Sequence, residues 1–211
     1  MTCAARTFRA TLALILALGP VTPVLADTID ANVSENAYAR VMRSINPRLP
    51  ENQSRAYATV LLSNSKRMHL DPRLVMAVVT VESHWDERAI SVDGAIGLGQ
   101  LKPSTAQNLG VDAWSGKGNL KGITIYLHRL IALFKSSRSA IGSAIASYNA
   151  GPIAVENNGG APPGYAAQHY VAKVFATWHG FKARLSGQTG ASATTVAASV
   201  DREQTAYWGA L

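Results

Sequence analysis

Residues 70–83 read LDPRLVMAVVTVES. From Leu74 to Val79 the run is apolar on every face, which predicts a helix buried on all sides. Asp71 stands at its N-cap, and Pro72 takes the first helical position, where a missing N–H costs nothing. A lone carboxylate, Glu82, follows near the end of the run. Val75 and Val79 lie seven and three residues before it, so the three side chains share one helix face. The acid therefore points into protein. Burial and the negative end of the helix dipole both disfavour its charged form and raise its pKa. A general acid at neutral pH requires such a raised carboxyl pKa. Spacing alone leaves one alternative open, a frayed helix end with Glu82 in water.

Downstream lies GAIGLGQLKPSTA, residues 94–106. Gly94, Gly97 and Gly99 stand where side chains would stop a backbone from approaching a ligand or adopting positive φ. Gln100 can both donate and accept hydrogen bonds. The spacing is G-x-x-G-x-G, not the G-x-G-x-x-G of a dinucleotide loop, and ISVD before it is a poor buried strand. A second stretch, SYNAGP at 147–152, reads either as helix-stop chemistry or as a polar constellation around Tyr148 and Asn149.

Helical patterns dominate the remainder, and no alternating strand pattern is evident. Helices are expected from the Ser34 cap to Ile45, over 52–68, from Ser104 to Gly110, over 119–134 and 139–149, and over about 164–184. From Ser186 the composition turns small and polar, and 186–211 reads as a flexible, low-complexity tail.

At the other end, Arg6 and Arg9 precede an apolar run at 10–18, broken by Gly19 and Pro20, with VLA at 24–26. This is the layout of a cleavable signal peptide over 1–26, and the run is too short to span a bilayer. Export to the periplasm, with no stable membrane anchor, is the expectation. Cleavage there removes Cys3, the single cysteine, and leaves about 185 residues, enough for one domain with a real core. The 211-residue chain carries a formal charge of +7, which falls to near +5 without Arg6 and Arg9. Such a balance suits an anionic wall or membrane surface. Nucleic acid is not favoured, because the basic residues are scattered singly.

The five histidines, at 69, 84, 128, 169 and 179, form neither H-x-x-x-H nor H-E-x-x-H, so a zinc site is not expected. His84 reads as a cleft residue or a solvated helix end. No G-x-S-x-G elbow occurs. Trp85 and Trp114 read as packing residues or as platforms for sugar rings.

Taken together, ES at 82–83, Ala89, Ser91, GAIGLGQ at 94–100, PSTA at 103–106 and YNAGP at 148–152 resemble the motif series of the soluble lytic transglycosylase (SLT) family, in order and spacing. Asn119, Tyr126 and YV at 170–171 fit its remaining positions, and the resemblance spans about 70–180. It implies a mainly α, lysozyme-like fold as a single catalytic domain over 27–185. It also implies a peptidoglycan lytic transglycosylase that needs no metal or cofactor. Glu82 would be the catalytic acid/base. Ser83, Ser91, Gly97, Gln100, Tyr148 and Asn149 would meet the glycan strand, and Tyr170 would sit beside the acid.

Two positions depart from the family pattern. Gly99 replaces the usual methionine, which predicts a lost apolar contact and a wider cleft. AAQHY at 166–170 lacks the acidic residue often found before the last tyrosine. A lysozyme-type hydrolase using Asp86 or Asp93 to position water, and a non-catalytic wall-binding module, are the rival readings. A small exported member of this kind also fits service to a secretion or conjugation apparatus.

Overall fold

In the computed structural model the described residues are 34–186. They form α1 (Glu35–Ile45), α2 (Glu51–Arg67), α3 (Pro72–Ser83), α4 (Pro103–Leu109), α5 (Gly116–Leu133), α6 (Ala140–Ala150), α7 (Pro152–Asn158) and α8 (Tyr165–Ser186). The expected signal peptide and nearly all of the expected tail lie outside the described residues. Among those described there is no strand, so the mainly α expectation holds. None of their helices is long and apolar enough to cross a membrane.

The all-round apolar run becomes the central helix, α3. Residues Leu74 to Val79 are all buried, enclosed by α8 on one side and by α2 and α5 on the others. Asp71 does the capping its position predicts, its carboxylate accepting from the Arg73 amide at 2.9 Å. Its second oxygen accepts from the Trp178 indole N–H at 2.9 Å, which fastens the start of α3 to α8. At the other end, His84 and Trp85 adopt left-handed backbone, with φ of 52° and 66°. Trp85 is then only 1% exposed, and its indole N–H donates to the Thr80 hydroxyl at 3.1 Å. Trp85 is thus a packing residue, and it pins the helix end that carries Glu82. His84 is the exposed left-handed cap.

The outer helices close around this axis: α1 against α2, α2 against α5, α5 against α6, and α6 against α7 and α8. Three local expectations need correction. Ser34 is the N-cap of α1 by backbone position, but its side chain makes no capping bond. Helix α5 begins three residues before Asn119, because the Ser115 hydroxyl accepts from the Gly118 amide at 3.3 Å and caps a glycine-rich first turn. Gly151 and Pro152 end one helix and start another, Pro152 opening α7 at its first position.

The glycine loop forms a small lobe against this bundle. Ile96 pairs through isolated antiparallel bridges with Ile90 and with Leu101. Ile96, Ala106 and Ala113, with Val111 beside them, make an apolar cluster separate from the main core.

Candidate active site

Glu82 lies one residue before the end of α3, on the face shared with buried Val75 and Val79. Its carboxylate accepts a hydrogen bond from the Tyr170 hydroxyl at 2.6 Å. Burial pushes the Glu82 carboxyl above its ordinary range, while the Tyr170 bond, which favours the charged form, offsets part of that rise. Tyr170 is itself buried on α8. Burial, and then the nearby Glu82 charge, hold its hydroxyl well above the usual tyrosine range, so it remains a neutral donor. The acid does not fray into solvent.

The loop wall opposite is held by one buried side chain. Asn119 on α5 accepts from the Gly99 amide at 2.9 Å. Its amide nitrogen donates to the carbonyls of Ile96 at 2.7 Å and Ala113 at 2.9 Å. Gly97 has φ +73°, and a Cβ there would stand 2.6 Å from the Asn119 amide nitrogen. A side chain at 97 would therefore displace that bracket. The Ser83 hydroxyl adds a bond to the Leu98 carbonyl at 2.8 Å, tying the end of α3 to the same loop.

Gly99 corrects the expected wider cleft. It is buried, and a Cβ there would run into Ile123 Cγ1 and Cδ1 and approach the Tyr148 hydroxyl to 2.9 Å. Ile123 and Tyr148 already occupy the space. The Tyr148 hydroxyl donates to the Gly99 carbonyl at 2.7 Å, so the loop meets α6 directly at this glycine.

Glu82, Ser91, Gln100, Tyr148 and Asn149 line one cavity of about 590 Å³. Ser83, Gly97 and Tyr170 do not line it. The first two build the loop wall, and Tyr170 stands behind the acid. Ser91 and Gln100 spend part of their polar capacity locally. The Ser91 hydroxyl accepts from the Ala95 amide at 3.0 Å. Gln100, at φ +50°, donates its side-chain amide to the carbonyls of Ala89 at 3.1 Å and Gly97 at 3.0 Å.

Burial pushes the Tyr148 hydroxyl well above its ordinary range, with the Glu82 charge and then Tyr126 adding to the rise. Tyr126 stacks at a tilt on Tyr148, ring centres 5.3 Å apart, and lines the same cavity. Sequence reasoning matched Tyr126 to the family pattern without giving it a place in the site; its position seven residues after Asn119, two turns along the same face of α5, carried no signal of chemistry by itself. Lys102 and Thr105 also line the cavity and were not foreseen.

Of the two aspartates in the rival reading, Asp93 lines the cavity, with its side chain 83% exposed. Asp86 lines a different hollow, beside His84 and Trp85, and accepts from the Arg88 amide at 2.9 Å. Trp114 is 67% exposed and lies in a third hollow, lined by Tyr57, Glu87 and Arg88, not in the cavity of Glu82. No group of three His, Cys, Asp or Glu gathers among the described residues in a way that would hold a metal ion.

A family profile described as "Transglycosylase SLT domain" matches residues 60–171. Over 59 residues the chain is 48% identical to a transglycosylase of Enterobacteria phage PRD1, a segment that is 28% of this chain and 22% of that one. Over 86 residues it is 37% identical to membrane-bound lytic murein transglycosylase F of Haemophilus influenzae (strain PittEE), covering 39% of this chain and 18% of that one. The chain thus spans about a fifth of the length of these curated relatives. Among solved structures, an inactive mutant of lytic transglycosylase Slt from Pseudomonas aeruginosa superposes with a TM-score of 0.53 at 21% identity, over 70% of this chain and 30% of that one. That likeness identifies the fold as lysozyme-like. The profile takes in more than half of the 211 residues and runs from the middle of α2, through the acid and its loop, to Val171 beside Tyr170; the chain belongs to the transglycosylase SLT domain family.

Proposed function

We propose that this chain is a peptidoglycan lytic transglycosylase, cutting the β-1,4 bond between N-acetylmuramic acid and N-acetylglucosamine. The observation that carries the reading is the Glu82 carboxyl: raised by burial, fixed by Tyr170 and facing an open cavity. With one oxygen engaged by Tyr170, the other is left to hold the catalytic proton. Glu82 gives that proton to the bridging oxygen, and the bond to the muramic acid C1 breaks. The same carboxylate, now charged, takes the proton of the C6 hydroxyl as that oxygen closes on C1. The products are a 1,6-anhydro-muramic end and a free 4-hydroxyl, with no water consumed. A single acid suffices, since the nucleophile belongs to the substrate. Tyr148, Asn149, Ser91 and Gln100 are the proposed contacts along the strand.

Glu82→Gln is the decisive variant. Gln keeps the shape of the protonated acid but has no proton to give. Turnover of isolated sacculi should fall by at least about 10²–10⁴-fold, with glycan binding retained. Full activity in Glu82→Gln would remove Glu82 from the chemistry and with it this reading of the site, whereas glycan binding without turnover by the unaltered chain would leave a wall-binding module. The Asp93 position in the cavity keeps hydrolysis as the specific competitor. Asp93→Asn and Asp86→Asn should cost little, and the products should be lighter by one water than hydrolysed ends. Reducing muramic ends with a collapse in Asp93→Asn would establish the hydrolase instead.

The leader-like residues 6–26 support export to the periplasm, which N-terminal sequencing of the fractionated protein checks by finding Asp27 first. Opening of the wall for a secretion or conjugation apparatus is the wider cellular setting we propose. A deletion strain with normal growth and impaired export through such an apparatus is the expected phenotype.

A further inference from the structure

The cavity beside Glu82 has one basic side chain among its described lining residues, Lys102. Its ammonium donates to the Asp93 carbonyl oxygen at 3.0 Å and lies 3.9 Å from the Asp93 carboxylate. Both contacts reach across the 93–102 loop to its far side, so the cation is held at the rim and does not trail into water. An ammonium has three donors, and only one is committed at hydrogen-bond distance. The Asp93 carboxylate is beyond that distance and mostly exposed, which makes it a weak partner. Thr105 places a hydroxyl in the same lining. A neutral glycan offers nothing that calls for a cation here. An anionic substituent on the sugar does.

We propose that Lys102 is a specificity-determining residue, pairing with a carboxylate on the side branch of the muramic sugar, so that the cleft reads the acidic branch as well as the glycan. This rests on the peptidoglycan reading above. The carboxylate has two chemical sources. A peptide stem carries carboxylates of its own, and a sugar stripped of its stem exposes the carboxylate of the lactyl ether. Loop stapling through the Asp93 carbonyl is the purely structural role, and it would be blind to the charge of the substrate.

The test compares the full chain with Lys102→Met and Lys102→Arg on three soluble strands. The first bears native stems, the second has its stem carboxylates amidated, and the third has been stripped by an amidase. Wild-type kcat/KM should fall about two- to fivefold on amidated strands, the size of one exposed ion pair, with the change in KM. Lys102→Met should show equal kcat/KM on native and amidated strands, and Lys102→Arg should restore the difference. Stripped strands cleaved like amidated ones assign the pairing to the stem. Stripped strands cleaved faster than amidated ones, with the excess lost in Lys102→Met, show that the lactyl carboxylate pairs as well, and equal wild-type rates on native and amidated strands would leave it as the only partner. An equal loss in Lys102→Met on all three strands overturns the proposal in favour of stapling. Dissociation constants for the same strands, measured in the Glu82→Gln background with and without Lys102→Met, decide the question independently of turnover. Absence of anhydro ends from the wild type would therefore remove the lytic reading and leave this one still decided.

Discussion

The Tyr170 hydroxyl and the burial of Glu82 pull the same carboxyl in opposite directions, and the pH behaviour follows from which is removed. The Tyr170 bond favours the charged form, so Tyr170→Phe should raise the Glu82 pKa further. A general acid works protonated, and the alkaline limb of kcat/KM should then move to higher pH in Tyr170→Phe, along with a lower maximum from the loosened carboxyl. A limb that moves to lower pH would contradict the geometry. Stability carries the same sign. A carboxyl whose folded pKa lies above its unfolded value costs stability as pH rises from about 4.3 through the folded value, and the cost persists above it. Glu82→Gln should therefore match the wild type in melting temperature at pH 4 and exceed it at pH 8. A variant less stable at pH 8 would show that the acid is not held at a cost. The inward direction of Glu82 was legible in the sequence because helical periodicity ties it to Val75 and Val79. Its partner was not legible from spacing. Tyr170 lies 88 residues away, and only the family resemblance placed it nearby.

Individual elements announce themselves to different degrees. Helix α3 was readable end to end, because a proline start, an aspartate cap and an unbroken apolar run all point one way. Helix α7 was not, since Gly-Pro terminates and initiates helices with the same two residues. Asn119 was visible only as a motif position. Its work is to satisfy three backbone groups of a loop that cannot pair with itself. Asn119→Leu should therefore destabilise strongly, at about 1–3 kcal/mol for each buried partner left unmade, read by chemical denaturation. A change below about 0.5 kcal/mol, the range of an ordinary surface substitution, would show that the loop holds itself. Gly99→Ala should be costly for a different reason, the collision with Ile123. Pairing it with Ile123→Ala should recover much of the loss, because residues in contact are coupled. Additive losses would mean that the close approach at Gly99 is not the constraint.

For the whole molecule, a chain ending at Ser186 should keep its melting temperature and its activity on sacculi, since the core closes through Leu185. A large loss in either would mean that residues beyond 186 complete the domain. The division into two apolar clusters was not legible in advance, because Ile96, Ala106 and Ala113 are too few and too scattered to form a pattern. That division has a kinetic consequence. The acid is rooted in the large cluster, whereas the facing wall enters that cluster only at Leu98 and otherwise rests on the small cluster and on hydrogen bonds from Asn119, Ser83 and Tyr148. Local opening free energies follow buried apolar contact, so the wall should unlatch far more often than the helix behind the acid. Amide hydrogens at Ile96, Gly99 and Leu101 should exchange with deuterium well before those of Val75 to Val79. A polymer with no free end nearby could then enter sideways through a wall that breathes, and meet a proton donor that does not move.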